Sequence, residues 1–256
     1  MDLIIPDWPA PANVSAFTTL RTGGFSKPPY GDADGGLGLN LGTHVGDDPE
    51  TVRKNRALLR ASLPSDPVWL NQVHGAEVVE ADKVSGVPDA DAAWTAVAGK
   101  VCIIMTADCL PVLFCSADGK VVGAAHGGWR GLAAGVLQRT VEAMRTRSNA
   151  PIIAWLGPAI GSKVFEVGGE VRAAFVGQDS AMASSFAPEN GVPGKFIADI
   201  YGIARTILKH MGITSVYGGD WCTVTDAARF YSFRRDHGKT GRMATGIWLS
   251  GGDVDG

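Results

Sequence analysis

Blocks of alternating and clustered apolar positions run the length of the chain and read as short strands and amphipathic helices. Val14 to Leu20 has strand character, and Thr22-Gly23-Gly24 after it reads as a turn that needs positive φ. Pro49 to Ser62 reads as a helix: Asp47 or Asp48 is placed to cap it, Pro49 suits its first turn, and Val52, Leu58 and Leu59 fall on its apolar face. Val68 to Val73 and Ala76 to Ala81 read as strands hinged at His74-Gly75. Val101 to Thr106, Val112 to Cys115 and Val121 to Ala125 are further strand candidates, the last two joined by the turn sequence Ser116-Ala117-Asp118-Gly119-Lys120. A helix is expected from near Gly131, because Leu132, Val136, Leu137, Val141 and Met144 keep close to helical spacing. Ile152 to Leu156 returns as a strand, and Ser215 to Tyr217 and Met243 to Leu249 are late strands. Val167 to Phe175 and Asp199 to Met211 are helix candidates, the second closed by Gly212. Strands and helices mix without strict alternation, with no repeat and no linker. The expectation is an α+β or layered α/β fold, with residues 1–256 as one mixed-sheet domain.

Composition narrows the function classes. The 256 residues carry 23 basic and 26 acidic side chains, a net charge of −3, which offers no electrostatic footprint for nucleic acid or an anionic membrane. No apolar run reaches the roughly 20 residues needed to span a bilayer, and the opening MDLIIPDWPAP has no basic segment of the kind that starts a secretory leader. The 4 cysteines form no Cys-x-x-Cys pair and too sparse a set for a disulfide scaffold. A cytoplasmic protein with reduced thiols is expected, a monomer or homodimer that binds neither nucleic acid nor membrane.

Two of the five histidines stand apart. His74 in Asn-Gln-Val-His-Gly and His126 in Ala-Ala-His-Gly-Gly each close an apolar run beside glycine, where a side chain emerges at a sheet edge and backbone comes close. Cys109, in Thr-Ala-Asp-Cys-Leu-Pro, follows the Val101 to Thr106 strand. The three can converge as a three-ligand zinc set with a fourth position for water or substrate, or act as a Cys–His nucleophilic pair. Cys102 and Cys115 lie inside apolar runs and read as core. His210 and His237 read as helix-end and solvated residues, and His44, after a glycine-rich run, suits a structural hydrogen bond as well as a role. Gly127-Gly128-Trp129-Arg130-Gly131 precedes a helix, so free backbone N–H groups and Arg130 can receive an anion, or the segment is an ordinary strand-to-helix turn. Phe230-Tyr231-Ser232-Phe233-Arg234-Arg235 interleaves rings and guanidinium groups, as a base-stacking and phosphate site does, or packs as a basic loop.

These segments carry a resemblance. Asn71-Gln72-Val73-His74-Gly75, Thr106-Ala107-Asp108-Cys109-Leu110-Pro111, Ala125-His126-Gly127-Gly128-Trp129-Arg130-Gly131, Gly157-Pro158-Ala159-Ile160-Gly161, Cys222-Thr223 and the 230–235 run resemble the YfiH family, also called the laccase-domain or polyphenol oxidase family. Phe17-Thr18-Thr19, Arg21-Thr22-Gly23-Gly24 and Leu39-Asn40-Leu41-Gly42 extend it over nearly the whole chain. The resemblance implies a layered α/β/β/α domain with zinc on His74, Cys109 and His126. It implies phosphorolysis of adenosine, inosine and S-methyl-5′-thioadenosine, with adenosine deamination at the same site. Copper-dependent polyphenol oxidation and a peptidoglycan-precursor amidase are the alternative activities, and a zinc-stabilised binding protein without turnover is the non-enzymatic one. Five histidines without a His-x-His pair are too few for a multi-copper cluster, although copper can replace zinc at a mixed nitrogen and sulfur site. Purine nucleoside and phosphate are the expected partners. Asp108, Cys109 and Arg130 are the expected catalytic residues, Asp108 as a proton shuttle, a support to Cys109 or simply a turn residue. Arg21, Asn40, Gln72, Gly127, Gly128, Trp129, Tyr231, Arg234 and Arg235 are the expected substrate-binding positions.

Overall fold

The computed structural model describes residues 1–189 and 191–251. In chain order the strands are β1 (Leu3–Ile4), β2 (Val14–Thr19), β3 (Thr22–Ser26), β4 (Val78–Glu80), β5 (Ala92–Thr95), β6 (Cys102–Thr106), β7 (Leu110–Ser116), β8 (Val122–Gly127), β9 (Ile152–Leu156), β10 (Glu166–Gly168), β11 (Phe186–Pro188), β12 (Lys195–Ala198), β13 (Val216–Gly218) and β14 (Met243–Leu249). The helices are α1 (Pro49–Arg60), α2 (Trp129–Ala133), α3 (Val136–Arg145), α4 (Gly169–Val176) and α5 (Ile200–His210).

A six-stranded sheet in the order β13-β9-β7-β8-β5-β4 stacks on a four-stranded sheet in the order β1-β2-β14-β6. The larger sheet is mixed, with β13 parallel to β9 and β4 parallel to β5, whereas the smaller is antiparallel throughout. Alternation along the strands builds the layers. Val112 and Phe114 of β7 face a core shared with Val136, Val141, Ile203 and Ile207 of α3 and α5. Leu113 and Cys115 face the other way, onto Cys102, Ile104 and Ile247 of the smaller sheet. That sheet's outer face, Phe17, Ile103, Met105 and Ala244, packs on Leu59 of α1. The result is the expected α/β/β/α order, and it explains why β7 reads as a continuous apolar run: it is buried on both faces. Gly123 of β8 lets α3 lie close, since a Cβ there would come 2.9 Å from the Met144 sulfur. At α1, the Asp48 carboxylate caps the helix by accepting the Thr51 N–H at 2.8 Å, as its sequence predicts.

Several local expectations change. Thr22-Gly23-Gly24 opens β3 rather than forming a turn, although Gly23 does take φ +82. Val68 to Val73 makes isolated bridges at Val68 and Asn71 in place of a strand, because Asn71 pairs across to the 88–90 segment. Ala76 to Ala81 contributes only Val78–Glu80 to a sheet. The helix near Gly131 is two, α2 and α3, broken where Gly135 adopts φ +90. Val167 belongs to β10, and α4 starts at Gly169. Strand β5 and the small sheet β10-β12-β11 have no clear sequence signal: Ala92-Ala93-Trp94-Thr95 is too short to show a period.

Candidate functional site

Three strand ends of the larger sheet meet opposite the Ser116–Lys120 turn. Register sets Pro111 across from His126 and Leu110 across from Gly127, so Cys109, just before β7, lies beside the end of β8. His74 precedes β4 at φ +60, and Asp108 precedes Cys109 at φ +88. These turns bring the ligating atoms of His74, Cys109 and His126 within 4.8 Å of one another. Cys109 Sγ is 3.8 Å from His74 Nε2, and the two imidazole rings stand edge to face at 4.7 Å between centroids. Among the described residues this is the one group of three or more such side chains close enough to hold a metal. Two imidazoles and a thiolate suit zinc or copper. Gly128 leaves room against all three: a Cβ there would sit 2.8 Å from the His74 ring, 3.4 Å from Cys109 Sγ and 3.4 Å from His126 Cε1. His126 is buried, Cys109 half-buried and His74 exposed, so the group opens to solvent on one side.

A residue the sequence did not mark, Asp91, holds two of the three donors in place. Its fully buried carboxylate is 2.7 Å from His126 Nδ1, which leaves Nε2 free to ligate. It also accepts the backbone N–H groups of Val73, His74 and Gly75, at 3.2, 3.0 and 2.7 Å. Burial alone would raise the Asp91 carboxyl, but His126 and the N–H groups of Gly75 and His74 hold it below its ordinary value. Burial likewise works against the Cys109 thiolate, yet the neighbouring His126 and His74 bring that thiol down to about 6. His126, pushed toward neutrality by burial, is raised to about 9 by Cys109 and Asp91. The thiolate that a metal requires is therefore already favoured.

The donors form part of the lining of a cavity of about 460 Å³. Of the expected substrate residues, Gln72, Trp129 and Arg234 line it, together with expected catalytic Arg130. Arg130 lies over the Trp129 ring at 4.4 Å. Gln72 uses its amide to clasp Met105, donating to the carbonyl and accepting the N–H, both at 2.8 Å. Gly127 is the last residue of β8, and Gly128 faces the donors. Asp108 also lines the cavity, but its carboxylate is engaged by Thr223 Oγ1 at 2.5 Å, Ser232 Oγ at 3.0 Å and the Arg234 N–H at 2.6 Å. It thereby ties the turn before β7 to the 219–242 segment, with both carboxylate oxygens already accepting hydrogen bonds.

Gly127 and Gly128 do not themselves line this cavity, and neither do four further expected substrate residues. Arg21 is buried, donating to the carbonyls of Gly31 and Ala227. Tyr231 is fully buried, its hydroxyl donating to the backbone carbonyls of Arg21 and Tyr30. Arg235 donates to Thr223 and Phe230 carbonyls and pairs with Asp236 at 2.8 Å. Asn40 accepts the N–H groups of Gly42 and Arg242. The 230–235 run is mostly a clasp. His44, Phe165, Phe233 and Arg242 line the cavity instead; of these, His44 and, within the 230–235 run, Phe233 stood out in the sequence.

A helix–sheet–sheet–helix fold with a His–Cys–His donor group in its main cavity defines a protein with a candidate transition-metal centre. The chain belongs to the family described as "Multi-copper polyphenol oxidoreductase laccase", which matches residues 15–250. It is 53% identical over 246 residues to a Pseudomonas aeruginosa protein named purine nucleoside phosphorylase, covering 96% of this chain and 98% of that one. It is 49% identical over 253 residues to Escherichia coli purine nucleoside phosphorylase YfiH, covering 96% and 98%. Among solved structures, a Neisseria meningitidis protein superposes with a TM-score of 0.89 at 49% identity, over 98% of this chain and all of that one. Bacillus licheniformis YfiH, described as hypothetical, gives 0.84 at 30%, over 93% of each chain. Among the described residues no helix is long and apolar enough to cross a membrane.

Proposed function

We propose that the protein, acting as one domain over residues 1–256, is a zinc-dependent purine nucleoside phosphorylase. Its substrates are adenosine, inosine and S-methyl-5′-thioadenosine, and it deaminates adenosine at the same site. The observation that carries this reading is the placement of the His74–Cys109–His126 donors in a cavity that also presents aromatic rings and three arginines, Arg130, Arg234 and Arg242. The names given to the similar proteins support it. In phosphorolysis a phosphate oxygen forms a bond to the sugar C1′ as the C1′–N9 bond breaks; the electron pair leaves with the purine, which takes up a proton. The chain must neutralise the phosphate, stack the base and limit water. Arginine fits the first task, and Trp129 and Phe165 offer ring faces for the second. His74 Nε2, Cys109 Sγ and His126 Nε2 would hold the zinc, which supplies Lewis-acid chemistry when bound.

The donor count speaks against an oxidase with several coppers. His210 sits at the end of α5, 3.3 Å from Asp179, and two histidines belong to the donor group. Purine release from adenosine and inosine, with and without phosphate, tests the proposal on metal-quantified protein. Phosphate-dependent release of adenine and hypoxanthine is the expected result. If neither base nor ammonia appears from either nucleoside, the proposal fails.

A further inference from the structure

The three cavity arginines differ in what already satisfies them. Arg130 is exposed and stacked on Trp129. Arg234 is exposed and donates Nη2 to the Glu166 carbonyl at 3.0 Å. Arg242 is half-buried, and the chain fixes it from several sides. Its backbone N–H is held by Asn40 Oδ1 at 2.9 Å, and its Nη1 donates to the Thr240 and Gly241 carbonyls at 3.2 and 3.1 Å. Its stem lies where Gly42 lacks a side chain: a Cβ at Gly42 would come 2.8 Å from Arg242 Cγ. Among the described residues no carboxylate pairs with Arg242, and its Nε and Nη2 have no hydrogen-bond partner. Burial disfavours its charge, as it does for the neighbouring His44. Cys109 and Asp108 favour the Arg242 charge without bonding to it, so its Nε–H and Nη2–H groups stay open on the cavity wall, held in position for an anion.

We propose that Arg242, with His44 beside it on the same wall, is the phosphate subsite of this cavity, and that Arg130 and Arg234 serve the nucleoside side. A dianion placed there would take the free Nε–H and Nη2–H groups as a planar two-pronged contact, the geometry arginine offers to phosphate. His44 would add an imidazole N–H. The proposal rests on the phosphorylase reading for its catalytic meaning, but phosphate binding itself does not depend on turnover.

Two measurements test it on the full-length, zinc-loaded protein. The first is calorimetric titration with inorganic phosphate alone. Arg242→Gln is expected to weaken binding by about tenfold or more, the size of a lost charge-assisted pair, and Arg242→Lys to fall between it and the parent. The second is steady-state phosphorolysis of inosine, where Arg242→Gln should raise the KM for phosphate by a similar factor while the KM for inosine moves less than about twofold. Unchanged phosphate binding in both Arg242 variants, or loss confined to Arg130→Gln or Arg234→Gln, overturns the assignment. If the parent binds phosphate through Arg242 yet releases no base, the anion site stands and the phosphorylase reading falls. If base release is phosphate-dependent and indifferent to Arg242, the reverse holds. Thermal melts with and without phosphate separate a folding defect in Arg242→Gln from a binding one.

Discussion

At the donor end, Cys109, His74 and His126 turn their reactive atoms toward one another. In the 230–235 run, by contrast, Tyr231 and Arg235 turn their polar atoms onto backbone carbonyls, with no part in the main cavity. Both regions are rich in residue types that do chemistry. What separates them is whether the polar groups are already satisfied by the fold. A satisfied group holds structure together; an unsatisfied group facing a cavity is available to a ligand.

The largest effect should come from Cys109→Ala. Zinc content should fall to background and nucleoside turnover by about a thousandfold, the loss expected when a Lewis acid is removed. The melting temperature of the chelator-treated protein should stay near that of the untreated parent, because the sheets bury a full core without the metal. Unfolding on chelation would instead mark a structural metal. Tyr231→Ala should do the opposite: a loss of about 3–5 kcal/mol of stability, the cost of a large cavity at a buried aromatic, measured by denaturant unfolding. The variant that still folds should keep its KM for inosine. A raised KM with intact stability would put Tyr231 in the substrate site after all.

Asp91→Asn comes next. An amide cannot accept all of the N–H groups that the carboxylate now receives, and it loses the charge facing His126. Zinc affinity, read by chelator competition, should drop by about 10–100-fold. An unchanged affinity would show that the ligands are held by the sheet alone. The smallest effect is a shift in a titration. In metal-free protein the rate of Cys109 alkylation should rise with pH about a midpoint near 6, because the thiolate is the reacting form and its neighbours lower the thiol to that value. A Cys109→Ser control measures the contribution of the other thiols, which is subtracted, and added zinc should suppress the Cys109 reaction. A midpoint near the ordinary thiol value would mean that His126 and His74 do not act on the sulfur.

The donor triple was legible because each member ends an apolar run beside a glycine or a strand, a position that projects a side chain from a sheet edge. Asp91 was not legible: its role depends on the pairing of β5 with β8, which places its carbonyl on the His126 N–H at 2.7 Å. The mixed strand–helix class was legible from the apolar runs of β6 to β9, while the α/β/β/α order was implied by the family resemblance; Val68 to Val73 misled because an apolar run also suits a partly buried extended loop. Arg235 and Tyr231 misled for a different reason. Nothing in a one-dimensional run of rings and guanidinium groups tells whether their donors meet backbone carbonyls or a ligand, since that depends on contacts with residues such as Thr223 and Tyr30.

The Asp91 carboxylate has a consequence for how the donor group behaves as a unit. It reaches His126 through the ring and His74 through the backbone, so a disturbance at residue 91 is transmitted to both imidazoles at once. The two histidines are then arms of one lever with a common fulcrum. Loosening it should relax both ligands together, so Asp91→Asn and a substitution at either histidine should lower zinc affinity by less than the sum of their separate effects.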